Sequence, residues 1–119
     1  MNPEFSRRAR RARRLMLLST AVLAGAVAHA AGDVKAGRAK AQMCQACHGL
    51  DGVSKMPEAP NLAGQVEGYL IAQLTAFKSG QRRNEQMAVI VQALSPQQIE
   101  DVAAYYAAIE VKVGKAPGD

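Results

Sequence analysis

The sequence predicts a small all-α domain of three main helices and one long irregular loop. Three observations carry that expectation. Apolar residues recur at three- and four-residue spacing and nowhere alternate with period two. Turn-forming residues gather in one stretch, 49–65, as Gly49, Gly52, Pro57, Pro60 and Gly64. Helix start and stop residues, Asp33, Gly80 and Ser95, stand where the apolar stripes begin and end. No repeat and no second domain is visible.

The first helix is expected over 33–47. Asp33 caps it, and Val34, Gly37, Ala41, Cys44 and His48 share one face. Gly37 inside a helix costs about 1 kcal/mol against alanine, so it is either a tolerated glycine or a point of close helix contact. The loop 49–65 follows. A loop of that length in a small domain is functional or disordered, and wrapping a large flat cofactor accounts for it. The second helix is expected over 66–79, with Val66, Tyr69, Leu70, Leu74 and Phe77 as its apolar stripe and Gly80 as its stop. A polar stretch, 81–86, precedes a short helix or irregular turn over 87–94. In the last helix Ser95 is the cap, Pro96 takes the first helical position and Gln98 completes a capping box. Ile99, Val102, Tyr106 and Ile109 lie on one of its faces.

Residues 1–30 read as a cleaved signal peptide, leaving 31–119 as the domain. Arg7, Arg8, Arg10, Arg11, Arg13 and Arg14 form the basic region, an apolar run covers 15–28, and Ala28-His29-Ala30 is a small-x-small cleavage pattern. The apolar run is shorter than the roughly 18 residues of a comfortable bilayer span; an uncleaved anchor is the competing reading. Ser6-Arg7-Arg8 hints at twin-arginine export, and the further arginines favour the general route. The leader also explains the charge. Six of the 15 Lys and Arg and one of the ten Asp and Glu lie in it, so the domain is balanced, nine against nine. The basic character of the whole chain is therefore no sign of nucleic acid, and no membrane contact is expected once the leader is gone.

A domain this small needs help with its core, from disulfides, a metal or a cofactor. Its two cysteines, three residues apart, are no disulfide framework. They belong to Cys44-Gln45-Ala46-Cys47-His48, a C-x-x-C-H pattern that reads as covalent attachment of c-type haem. Thiols three apart on a helical turn face the same way, so both can add to the two vinyl groups along one haem edge. His48 follows directly and can place its imidazole under the iron. A structural zinc site would need four ligands, and residues 31–119 hold no other Cys or His. A thioredoxin-like pair would need a β-α-β setting, which is absent.

With these residues in hand, the chain resembles the class I cytochromes c, in particular small bacterial periplasmic cytochromes and single halves of the dihaem cytochromes. The likeness rests on 32–37, 44–49, Pro60-Asn61-Leu62-Ala63-Gly64-Gln65, Lys78-Ser79-Gly80-Gln81-Arg82, Met87 and Ala103-Ala104-Tyr105-Tyr106. The resemblance implies the class I cytochrome c fold, with its haem-wrapping loop. It implies that the Pro60 carbonyl accepts the proton of the ligand histidine, against a plain loop turn. It implies that the first and last helices cross at Gly37 and Tyr105. Leu62, Leu70 and Leu74, with Val102, would pack on the haem faces, against a purely structural role in the core. It makes His48 one axial ligand of the iron and places the second at Met87, 39 residues further on. Met43, beside Cys44, and Met56, in the loop expected on the His48 side, are the competing methionines. The run Ala88-Val89-Ile90-Val91 departs from relatives that carry a proline or a second methionine there.

The implied function is a periplasmic electron-transfer protein that carries one covalent haem c with His/Met ligation. It would be an electron carrier rather than an enzyme, passing single electrons between redox protein partners. The alternative is the cytochrome subunit of a larger periplasmic oxidoreductase. A peroxidase or gas-binding protein would need Met87 off the iron, and there is no distal histidine to assist peroxide cleavage. Lys55, Lys78, Arg82 and Arg83 either form a basic rim for acidic partners or are ordinary solvated charges.

Overall fold

Five helices and one 3₁₀ turn follow one another in a computed structural model that describes residues 31–118; the expected signal peptide lies outside the described residues. Helix α1 (Val34–Lys40) starts because the Asp33 carboxylate accepts the Ala36 N–H at 2.7 Å. Arg38 and Lys40 in its last turn complement the helix dipole. A 3₁₀ turn, Ala41–Met43, leads into the short α2 (Gln45–His48). Helix α3 (Glu67–Ser79) stops at Gly80, whose φ of 78° lies in the left-handed region. Helix α4 (Glu85–Gln92) begins where the Asn84 side chain accepts the Met87 N–H at 2.9 Å. Helix α5 (Pro96–Ala107) carries the expected capping box: Gln98 N–H donates to Ser95 Oγ at 3.2 Å, and Ser95 N–H to Gln98 Oε1 at 3.0 Å. The described residues contain no strand.

Helix α5 is the hub, packing on α1 and α3, while α4 packs mainly on α3. Ala41, Leu70, Val102, Ala103 and Tyr106 form the core cluster. Gly37 is a contact glycine. A Cβ there would collide with the Asp101 carbonyl oxygen, 2.5 Å from its carbon and 2.9 Å from Tyr105 Cβ. The same junction is tied by polar groups, since buried Asp101 accepts the Asp33 N–H at 2.9 Å and the Gln97 amide at 3.0 Å.

The loop 49–65 is held at both ends by α5. Tyr105 Oη donates to the Leu50 carbonyl at 2.6 Å and Tyr106 Oη to the Gly49 carbonyl at 3.1 Å. The Gly64 N–H returns to the Tyr106 carbonyl at 3.0 Å. Burial keeps the Tyr106 phenol protonated well above the usual tyrosine range.

Five expectations need correction, the first being that Ile109 lies on the last helix: that helix ends at Ala107, with Ala108 as its cap. The first helix is not continuous over 33–47: it tightens to a 3₁₀ turn at 41–43 and restarts after Cys44. Val34 is 47 % exposed, because α1 meets α5 through Gly32, Gly37 and Ala41 instead. Val66 is the cap residue of α3 and 70 % exposed, and Tyr69 is 48 % exposed, so the stripe narrows to Leu70, Leu74 and Phe77. The segment expected over 87–94 is a regular helix that begins two residues earlier, at Glu85.

Candidate haem site

A cavity of about 390 Å³ opens between the attachment segment, the loop and helices α3, α4 and α5. The residues expected from the sequence to hold or cover the haem all border it: Cys44, Cys47, His48, Pro60, Leu62, Leu70, Leu74 and Met87. Phe77, Ile90, Val91, Leu94 and Val102 complete the apolar wall. Leu70 is buried in the core as well, whereas Leu62 and Leu74 are half-buried and turned to the cavity.

The 3₁₀ turn and α2 set the thiols. The Cys44 carbonyl accepts the N–H of Cys47 at 3.3 Å and of His48 at 3.0 Å, so all three residues of the motif are wound on one turn. Both cysteines are half-buried, and they are not joined to each other. Burial, with a smaller contribution from the charge of Cys47, pushes the Cys44 thiol up to about 11. Among the described residues, no group of three or more His, Cys, Asp or Glu side chains could hold a bare metal ion.

His48 is 8 % exposed, and its Nδ1 lies 2.9 Å from the Pro60 carbonyl oxygen. A carbonyl only accepts, so Nδ1 carries the proton and donates it. In the neutral imidazole this leaves the Nε2 lone pair free to bind a metal, with the ring fixed in orientation. Pro60 itself is positioned by the loop's own bonds, Leu62 N–H to the Gly52 carbonyl at 2.8 Å and Ser54 N–H to Asn61 Oδ1 at 2.7 Å.

Met87 reaches the cavity from α4, an element that rests mainly on α3. Met43 and Met56 also border the cavity, the first directly before Cys44 and the second on the same loop as Pro60. Two paired thiols, an imidazole with one free nitrogen, an apolar wall and a thioether from a separate element fit haem c.

The expected basic rim is not a uniform solvated patch. Lys55 pairs with Asp51 at 2.9 Å. Arg82 lies over the Phe77 ring at 4.5 Å, donates to Gln73 Oε1 at 2.7 Å and borders the cavity. Lys78 is turned inward onto backbone carbonyls. Arg82 and Asn84 are not among the residues read from the sequence as bordering the site, because a polar run without periodicity carries no sign of its facing; Gln73, on α3 beside Leu70 and Leu74, shares their spacing but is polar.

Comparison with known proteins agrees. The family model for cytochrome c matches residues 34–108. Cytochrome c4 of Pseudomonas aeruginosa is 49 % identical over 100 residues, which cover 84 % of this chain and 49 % of that protein. The crystal structure of reduced recombinant cytochrome c4 from Pseudomonas stutzeri superposes with a TM-score of 0.66 at 42 % identity, over 72 % of this chain and 50 % of that one. A thiosulfate dehydrogenase electron acceptor of Stutzerimonas stutzeri is 40 % identical over 72 residues, 58 % of this chain and 33 % of that protein. The chain belongs to the cytochrome c family, with the all-helical fold of that family and one covalent haem c at its C-x-x-C-H motif. It spans about half the length of the cytochrome c4 relatives it matches.

Proposed function

We propose that the chain is a periplasmic one-electron carrier whose haem iron is held between His48 and Met87. The carrying observation is that a locked imidazole and a thioether border one cavity from two separate helices, α2 and α4. Bound haem supplies the redox chemistry, a single electron cycling between ferric and ferrous iron. Cys44 and Cys47 hold it covalently. His48, fixed by Pro60, donates a strong nitrogen ligand. Met87 adds a soft sulfur that favours the reduced state and closes the position a substrate would need. Leu62, Leu70, Leu74 and Val102 exclude water from the faces of the ring, so little solvent has to reorganise as the electron moves. The basic cluster, apolar run and small-x-small pattern within residues 1–30 support export, and no helix among the described residues is long and apolar enough to cross a membrane.

A second reading is favoured by the likeness to a thiosulfate dehydrogenase electron acceptor: the domain receives electrons from a larger periplasmic oxidoreductase that it accompanies. Both readings give the same haem chemistry and differ in partner. Reductive titration of the purified holoprotein tests the carrier function. One electron per chain and a ferrous form that does not bind carbon monoxide are expected. Rapid carbon monoxide binding would reject it. Co-purification with a dehydrogenase subunit would select the second reading.

A further inference from the structure

Lys78 stands in the last turn of α3, half-buried, and its ammonium group is turned onto the end of the neighbouring helix. Its Nζ donates to the carbonyls of Val91 at 3.3 Å, Gln92 at 3.2 Å and Leu94 at 2.6 Å. Gln92 returns a hydrogen bond from its side-chain amide to the Lys78 carbonyl at 3.2 Å. These carbonyls form the C-terminal end of α4, where the helix dipole is negative and backbone acceptors lack intrahelical partners. Helix α4 has eight residues, too few to be stable without tertiary restraint. Its first turn is held through the Met87 N–H itself, capped by Asn84 at 2.9 Å. Its last turn is held by Lys78. Val91, one turn beyond Met87 on the same face, is fully buried against the cavity.

We propose that Lys78 is a positioning residue for the axial sulfur: it clamps the C-terminal end of α4 to α3 so that Met87 stays on the iron. The proposal rests on Met87 being the ligand. Without the clamp α4 swings away more often, and each excursion opens the iron to an outside ligand. Ground-state ligation survives, and what changes is the population of the opened form.

The test is imidazole binding to the ferric holoprotein, followed optically. Imidazole is neutral, so loss of the lysine charge does not alter its attraction to the site. Lys78→Met keeps the aliphatic stem and removes the donors. It should keep the weak far-red charge-transfer band of sulfur ligation. It should also raise imidazole affinity about 30-fold, the factor given by about 2 kcal/mol of lost charge-assisted capping at 1.36 kcal/mol per tenfold. Lys78→Arg should restore most of the wild-type affinity. In a Met87→Ala background, where no sulfur has to leave, Lys78→Met should change imidazole affinity by less than about 3-fold. Gln92→Ala, at an exposed position that folding tolerates, cuts the return bond and should give a rise of about 3-fold. Wild-type affinity in both Lys78→Met and Gln92→Ala overturns the proposal. So does an equal rise with and without Met87. A Met87→Ala protein that keeps the far-red band removes the ligand assignment first, and the two failures are therefore distinct.

Discussion

Replacing Gly37 by alanine reverses the sign that helix propensity alone would give. In an exposed helix interior the change stabilises by about 1 kcal/mol. Gly37 is buried, and its added Cβ would lie 2.5 Å from the Asp101 carbonyl carbon and 2.9 Å from Tyr105 Cβ. Backbone is the obstacle, so relief means moving α1 off α5, which strains the Asp33 N–H to Asp101 bond at 2.9 Å. Overpacking of this kind costs about 1–3 kcal/mol, and obstruction by backbone places it at the upper end. The net is a loss of about 2 kcal/mol, or roughly 8–16 °C of melting temperature for a domain of this size. Gly68 is the control: it is exposed in the first turn of α3, and its added Cβ meets nothing within 4 Å. Gly68→Ala should be neutral or stabilising by up to about 1 kcal/mol. Thermal melts of the ferric holoproteins, followed by circular dichroism, give both values. A Gly37→Ala protein that melts at or above wild type would refute the crossing geometry.

Tyr106→Phe should cost about 1–2 kcal/mol in denaturant unfolding, since it strips a buried donor from the Gly49 carbonyl. The phenol's raised pKa also gives a pH dependence. The neutral form is the one the fold favours, so its contribution is complete below the unfolded tyrosine value of about 10 and is lost as pH rises above it. Spectrophotometric titration should find one of the three tyrosines resisting ionisation until the protein unfolds. Haem-free chain should lose its cooperative melt, because the apolar cavity wall contributes about 25 cal/mol per Å² only when covered; native-like helicity by circular dichroism would contradict this. The exported protein should have the mass of residues 31–119 plus one haem, and an unmodified or unprocessed mass would reject attachment or cleavage.

Much of the fold was legible because local chemistry and tertiary packing agree. Ser95, Pro96 and Gln98 announce α5 by capping alone, and Gly80 ends α3 for want of a Cβ. The pairing of Gly37 with Tyr105 and the Pro60 bond to His48 came with the resemblance, and both stand in the geometry. Features that depend on where elements meet were not legible. The 3₁₀ turn at 41–43 leaves the apolar spacing almost unchanged, so the first helix looked continuous. Asn84 is one polar residue in a polar run, and only the folded chain reveals it as the cap of α4. Lys78 reads as a rim or solvated charge, yet it is turned onto carbonyls of a neighbouring helix and its flank, and nothing in the sequence marks Asp101 as the acceptor of the Asp33 N–H. A sequence records a charge and not the direction in which its side chain turns.

The central claim is that the iron sits between His48 and Met87, and the far-red spectrum of the oxidised protein tests it most directly. Sulfur bound to low-spin ferric haem gives a weak charge-transfer band there. Wild type, Met43→Leu and Met56→Leu should all show the band at neutral pH. Met87→Ala should lose it, lower the reduction potential and admit carbon monoxide in the ferrous state. A band that persists in Met87→Ala, or one that disappears with Met43 or Met56 instead, would contradict the assignment of Met87 as the second ligand.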